Sequence, residues 1–246
     1  MKTEQIEGED FRVVPSSDLR QYLKPVLGVD YIDYFEQEIC DLSQLNYESE
    51  VPVLKVSGDL IIEGDLYLCH MDNFIPKKMK WNIGYGKRYF DKSGNYVIPG
   101  DFVLNAYMNF ADIVAVGGDL IVKGIVIDPC GDFGATLLVK GKITAEWLWC
   151  GGGVILADGA EIRESVFGEY NHGSLHLGHL KAKYLINHDH DTRIKESELL
   201  ASFDTYNDLE AYNKKKDPAF LEAKKQAQAF FKKVGEKYMF NTLFKD

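Results

Sequence analysis

The chain has 246 residues, of which 46% are hydrophobic and 27% are charged, the composition of an ordered protein with one sizeable core. Its formal net charge of −10 argues against duplex nucleic acid as the main partner, because phosphate binding needs clustered lysine and arginine. No stretch approaches the roughly 20 apolar residues that cross a bilayer, so no membrane association is expected.

The beginning of the chain and the cysteines favour a cytoplasmic protein. The first ten residues are acidic and lack the basic and apolar segments of a signal peptide. The four cysteines are widely separated and form no CxxC pair. We therefore expect reduced thiols, with neither a disulfide framework nor a zinc knuckle.

Residues 1–50 are predicted to form a helical N-terminal cap. Ser16 and Ser17 precede a segment with helix-start signals, and the apolar residues Ile32, Phe35 and Ile39 recur at helical spacing. Helices here would cover the first coil of the β-structure that follows, because an open β-stack exposes unpaired backbone groups and an apolar end.

A phrase of glycine and apolar residues recurs along residues 51–194. It reads SGDLIIEGDL from Ser57, GGDLIVKG from Gly117 and VKGKI from Val139. Four anchoring glycines lie 23, 18 and 19 residues apart, the spacing of coils in a stacked β-structure: Gly118, Gly141, Gly159 and Gly178. We therefore predict a mainly β fold, a single-stranded right-handed β-helix (β-solenoid) of about 18–19 residues per coil with three strands in each coil, flanked by α-helical caps.

Aspartates follow several of these glycines, as at Asp59, Asp65 and Asp119. One carboxylate at each corner is too few to bind calcium. We expect these side chains to hydrogen-bond the backbone at the turns instead.

An aromatic-rich insertion interrupts the repeat at about residues 71–110. Aromatic residues with basic neighbours are a common composition of contact surfaces, and on this basis Trp81, Tyr85 and Arg88 are candidate partner-binding residues. The alternative is an insertion that only packs against the solenoid. Within it, the segment from Tyr96 to Leu104 resembles a degenerate coil.

Residues 195–246 are predicted to be helical. Asp217 and Pro218 form a strong start signal, with Asp at the N-cap and Pro at the first helical position, and Gly235 marks the end. The last 36 residues carry nine lysines against four acidic residues, so the rest of the chain is strongly acidic. An acidic body is compatible with a basic protein partner.

Five of the six histidines lie between residues 172 and 190. With coils of about 18 residues, His172 and His190 would occupy equivalent positions on successive coils, and His188 and His190 would point to the same side of a strand. The cluster could be a structural corner, a partner or ligand contact, or a metal or catalytic site. The candidate binding residues here are Tyr170, Asn171, His172, His188, Asp189 and His190.

The repeat phrases and the Tyr170-Asn171-His172-Gly173 element resemble those of bacterial β-solenoid proteins loosely similar to the bactofilin-type polymer-forming proteins. That resemblance covers about a third of the chain and implies a bare solenoid that assembles end to end. This chain departs from the pattern in having helical segments at both ends.

The sequence has no phosphate-binding loop, no GxSxG turn and no HExxH motif. No catalytic residue, metal or cofactor is therefore assigned, and the oligomeric state is left open. The favoured function is a non-catalytic protein-interaction module, in its most specific form an immunity or inhibitor-type binder of a basic protein such as a toxin domain. The alternatives are a self-assembling solenoid scaffold and a metal-dependent enzyme that uses the cluster of His172, His188 and His190.

Overall fold

The structure is a computed structural model that describes residues 5–6, 9–39, 42, 50–68, 89–92, 95–103, 113–128, 135–169, 173–235 and 237–244. The helices are α1 (Leu19–Leu27), α2 (Val29–Glu38), α3 (Thr205–Lys215), α4 (Pro218–Lys233) and α5 (Lys237–Phe244). Within these ranges, none of the five helices combines the length and apolar character that a bilayer-spanning helix requires.

The strands fall into an early group and a regular later group. The early strands are β1 (Gln5–Ile6), β2 (Glu9–Pro15), β3 (Glu50–Val56), β4 (Leu60–Ile62), β5 (Leu66–Tyr67), β6 (Tyr89–Phe90), β7 (Tyr96–Ile98) and β8 (Phe102–Val103). The later strands are β9 (Ile113–Val116), β10 (Leu120–Val122), β11 (Ile125–Asp128), β12 (Thr136–Ala145), β13 (Trp147–Cys150), β14 (Val154–Ile162), β15 (Ser165–Glu169), β16 (Ser174–Lys181), β17 (Tyr184–His188), β18 (Asp191–Glu198) and β19 (Ala201–Asp204).

Apart from β1, β2 and β6, which pair antiparallel, these strands stack in parallel as a β-solenoid, and its regular coils each contribute three strand segments. Face 1 contains β3, β9 and the first halves of β12, β14, β16 and β18. Face 2 contains β4, β10 and the second halves of the same four long strands. Face 3 contains β5, β11, β13, β15, β17 and β19. The predicted β-solenoid with three strands in each coil is confirmed, and its strands continue to Asp204.

The glycine–aspartate phrase has a steric cause at the corner between faces 1 and 2. A Cβ on Gly118 would collide with the carboxylate of Asp59, and one on Gly141 would collide with that of Asp119. Each carboxylate accepts a hydrogen bond from a backbone N–H one coil on, so the predicted structural role of these aspartates is confirmed. At this corner the carboxylates that do this are Asp59 and Asp119, at 2.8 Å each, and at the corner between faces 2 and 3 they are Asp65 and Asp101, at 2.9 Å and 2.7 Å.

The glycines are not all in register. Gly141 N–H donates to the carbonyl of Gly118 at 3.0 Å, so these two lie directly over one another. Gly159, however, pairs with Lys142 and with His179, one position past the line of glycines. The predicted alignment of all four glycines is therefore wrong at Gly159, because in that coil Asp158 occupies the corner position.

The solenoid is extended at its first coil by strands that are out of sequence order. β7 pairs with β4, and β8 pairs with β5, on the edges away from β10 and β11. On face 1, β2 runs antiparallel to β3. The degenerate coil predicted from Tyr96 onward therefore forms strands, but it stacks ahead of the first coil although it follows that coil in sequence.

The helices pack against the sides of the solenoid. α1 and α2 cover face 1, where Leu23, Leu27 and Phe35 join a cluster with the outward side chains of Leu138 and Leu156. α4 and α5 cover face 3 and bury its outward aromatic side chains. The shared cluster contains Trp147, Trp149, Phe167, Phe220, Phe230 and Phe231. The helices were predicted to cap the ends, but these contacts place them on the sides, because the strands of both faces are apolar on their outer surfaces.

The helix predicted to start at Asp217 and Pro218 and to end at Gly235 is confirmed as α4. Asp217 caps α4 by accepting hydrogen bonds from the backbone N–H groups of Ala219 at 2.8 Å and Phe220 at 3.2 Å. Pro218 occupies the first turn, and Gly235 follows the helix with φ of +80°, a conformation that favours glycine.

In the last coil, formed by β18 and β19, polar residues replace apolar residues at several positions that face the inner core. Its inward positions pair with leucines of the preceding coil: Leu175 with Thr192, Leu180 with Ser197, and Leu185 with Ser202. Ser197 and Ser202 are exposed. Polar residues at inward positions let a terminal repeat face water, so the last coil closes the core without an overlying helix among the described residues.

Candidate functional site

The predicted histidine cluster lies at the corner between faces 3 and 1, where His190 is only 7% exposed. Its Nδ1 lies 2.9 Å from Thr192 Oγ1. That hydroxyl donates to Asn187 Oδ1 at 2.8 Å, and the Asn187 amide donates to the His190 carbonyl at 3.2 Å. Because the Thr192 hydroxyl proton is already used, His190 must donate from Nδ1. Burial lowers the pKa of His190 to about 4, against the opposing effect of the Gly151 backbone.

His188 belongs to a separate set of contacts. Its Nδ1 lies 3.1 Å from Thr205 Oγ1, and its ring meets the Tyr206 ring edge-on at 5.5 Å. Asp189, between the two histidines, has φ of +50° and breaks the strand. The prediction that His188 and His190 point to the same side is therefore wrong, because the left-handed residue between them turns the chain.

The predicted equivalence of His172 and His190 is also wrong. Ser174 pairs with Asp191, so the residue level with His190 one coil earlier is Gly173. A Cβ on Gly173 would lie 2.7 Å from His190 Nε2, so the histidine ring fills the space that the glycine leaves. The coil is 17 residues long at this register, one residue shorter than the assumed spacing.

Six predicted site residues fall outside the described residues: Trp81, Tyr85, Arg88, Tyr170, Asn171 and His172. Of the candidates, the structure thus places His188, Asp189 and His190, all at one corner of the last coils. In the described part of the chain, no group of three or more His, Cys, Asp or Glu side chains is placed to hold a metal ion.

An acidic crevice of 320 Å³ opens at this corner. Asp204 stands in it as the N-cap of α3, accepting from the backbone N–H groups of Tyr206 and Asn207 at 3.1 Å each. The crevice is lined by Asn187, Asp189, His190, Asp191, Asp204, Tyr206 and Asn207. The repeat pattern ends before Asp204, so no sequence pattern indicated that this aspartate joins the histidine corner.

An apolar groove of 660 Å³ runs along the corner between faces 2 and 3, from Thr144 in the coil of β12 to Leu200 in the last coil. Its lining combines apolar residues such as Ala182, Leu199 and Leu200 with residues of both charges, Glu161, Arg163, Lys181, Lys183 and Glu198. Leu200 is 72% exposed, so most of its apolar side chain does not pack within the chain. The Leu199-Leu200 pair in an otherwise charged stretch was the available sequence signal, and the predictions did not include it.

The groove and the crevice flank β19, whose outer edge pairs with no further strand in the described structure, although the Asp204 N–H at its end donates to the Tyr212 hydroxyl of α3 at 3.4 Å. β19 pairs only with β17, and β18 pairs only with β16, among the described strands. The segment from Asp189 to Glu210 contains seven acidic residues and two basic residues. Within it, Glu196 and Glu198 have side chains that are 82% and 62% exposed. This end of the solenoid therefore combines strand edges, an apolar groove and a negative surface.

Comparisons with known proteins identify no relative, since no family model, curated protein or solved structure matches the chain.

Proposed function

We propose that this protein is a non-catalytic interaction module that binds a basic protein through the last coil of its solenoid. The observation that carries the proposal is the edge of β19, with which no further described strand pairs, between the apolar groove and the acidic crevice. The favoured form of the module is an inhibitor or immunity-type binder of a basic toxin domain.

We further propose that the coil is right-handed, because crossovers between parallel strands are right-handed in about 98% of cases.

The binding mode that fits this end is addition of an extended segment to a sheet edge. Main-chain hydrogen bonds to β19 would supply affinity, and pockets for side chains would supply specificity. An apolar side chain would enter the groove beside Leu200, and lysine or arginine would enter the crevice beside Asp189 and Asp204. Charged side chains on β18 discourage unselective pairing of this edge, which suits a site for one complementary partner.

The competing proposal is a scaffold that polymerises end to end. It draws on the same strand edge, but the seven acidic residues of this end require a basic surface on whatever covers it. A partner of opposite charge therefore explains more of the observations than a second copy of this acidic chain does.

The test uses immobilised protein to capture a partner that is then identified, purified and titrated by calorimetry. The double variant Glu196→Lys/Glu198→Lys should weaken binding at least tenfold. The matched control is Glu50→Lys/Glu63→Lys, which makes the same charge change at exposed positions of the first coil. Equal affinity of both variants for the purified partner would overturn the proposal, as would filaments of the wild type that the last-coil variant abolishes.

A further inference from the structure

A third cavity lies on another part of the molecule, between the α1–α2 turn and the corner that joins faces 1 and 2. This tyrosine cleft has a volume of 520 Å³, within the range of small-molecule sites. The residues that matter for its chemistry are Tyr31, Tyr34, Lys140, Asp158, His176 and Lys195.

One end of the cleft brings a helix N-terminus and a lysine together, with Asp30 in the first turn of the helix. Gly28 has φ of +86°, and no side chain of the described residues caps the N-terminus of α2 that begins there. The first N–H groups of a helix have no partner within the helix and favour negative charge. The Lys140 ammonium lies 4.0 Å from the position that a Cβ of Gly28 would occupy. The helix terminus and the lysine thus converge on one place, which suits a carboxylate.

His176 gives an independent sign of a ligand. The side chain is 1% exposed and lines the cleft. Its Nε2 faces Asp191 Oδ2 at 3.4 Å, so the ring proton belongs on Nε2. Its Nδ1 is buried and has no hydrogen-bond partner among the described residues. A buried acceptor without a donor is unfavourable, and an N–H group of a bound molecule would supply that donor.

The walls of the cleft are aromatic and fixed. The Tyr31 hydroxyl donates to the Leu156 carbonyl at 2.6 Å, and this bond anchors the ring of Tyr31 against the solenoid. The Lys195 ammonium lies 4.7 Å from the centre of the Tyr34 ring, a cation–π distance. A flat apolar group is the natural occupant of the space beside two such rings.

The charges of the cleft are balanced, since Lys140 and Lys195 are matched by Asp30 and Asp158. A polyanion is therefore disfavoured, whereas a molecule that carries one charge of each sign is suited to it. We propose that the tyrosine cleft binds a free aromatic amino acid. Its carboxylate lies at Gly28 and Lys140, its amino group at Asp158 and His176 Nδ1, and its ring beside Tyr31 and Tyr34.

Calorimetry with L-phenylalanine and L-tyrosine tests this directly, with an expected Kd of about 1 mM or tighter for a ligand of this size. Phenylacetate, which lacks the amino group, and phenethylamine, which lacks the carboxylate, should each bind at least tenfold more weakly. Equal binding of phenylacetate, or no heat with either amino acid at 10 times the expected Kd, would overturn the proposal.

Two variants keep the test specific to the cleft. Lys140→Met should weaken amino-acid binding about tenfold, whereas Lys123→Met, which removes an exposed lysine at another corner, should leave it unchanged. An NMR titration of ¹⁵N-histidine-labelled protein supplies a second readout, because a new hydrogen bond must shift the Nδ1 resonance of His176. A ligand that binds without moving this resonance would contradict the assigned orientation.

Discussion

The two ends of this solenoid are finished in different ways. At the first coil, β2, β7 and β8 add strands to the open edges, and inward side chains such as Tyr96 and Ile98 stay buried. At the last coil three inward leucines of the preceding coil are replaced by Thr192, Ser197 and Ser202. One end is thus covered by the chain itself, whereas the other end is made compatible with water and left with a strand edge that a partner can use.

The largest expected effect is a difference in stability between two variants, one in an inner coil and one at the paired position of the last coil. Leu177 is 2% exposed and pairs with Ile194, which is only partly buried. Leu177→Ala should reduce the free energy of unfolding by about 2–5 kcal/mol, the range for a buried leucine. Ile194→Ala should cost less than half as much. Equal losses in urea denaturation would show that the last coil is packed as tightly as the inner ones.

The next effect concerns the pH dependence of the corner at His190. Because burial lowers the pKa of His190 from an ordinary 6.5 to about 4, the unfolded chain takes up a proton first as the pH falls. The neutral ring therefore contributes its full stability above about pH 6.5, and this contribution is lost between pH 6.5 and pH 4. The expected loss is roughly 3 kcal/mol.

The matching measurement is urea denaturation at several pH values for wild type and His190→Gln. The variant should be less stable at pH 7 but should lose less further stability between pH 6.5 and pH 4. Identical slopes for the two proteins would contradict the assignment of a buried, neutral His190.

A smaller effect compares equivalent glycines of the first coil and a later coil. A Cβ on Gly141 would meet the Asp119 carboxylate and the backbone of Gly118, whereas one on Gly58 would meet no atom of the described residues within 4 Å. Gly141→Ala should therefore destabilise the protein by about 1–3 kcal/mol, as overpacking does. Gly58→Ala should be within about 0.5 kcal/mol of wild type. Equal thermal shifts of the two variants would remove the steric explanation of the repeat.

The sequence was sufficient to predict the solenoid because several corner glycines are required by a carboxylate of the neighbouring coil, as Gly118 is by Asp59 and Gly141 is by Asp119. It was not sufficient to predict the histidine corner. Corner loops differ in length, so Val154 pairs with Ser174 twenty residues on, while Ser174 pairs with Asp191 seventeen residues on. A shift of one residue in the strand pairing is enough to place Gly173, instead of the expected His172, level with His190.

Two other features depend on contacts that a local pattern does not contain. Nothing within residues 96–103 specifies that β7 and β8 stack ahead of the first coil, because strand order is decided by distant pairing. The side position of the helices, in contrast, was predictable. Trp147, Leu148 and Trp149 are consecutive buried residues, and a strand that is apolar on both sides needs cover on both.

Hydrogen exchange tests the central claim most directly, because it reports whether the last coil is an unpaired strand edge that a partner occupies. In the free protein, the amides of Asp191–Glu198 should exchange faster than those of Ser174–Lys181, since strand edges open more readily than inner strands. Addition of the identified basic partner should slow exchange in residues 191–204 above all others. Amides of the last coil that are already protected in the free protein, or protection by the partner confined to another face, would contradict the account.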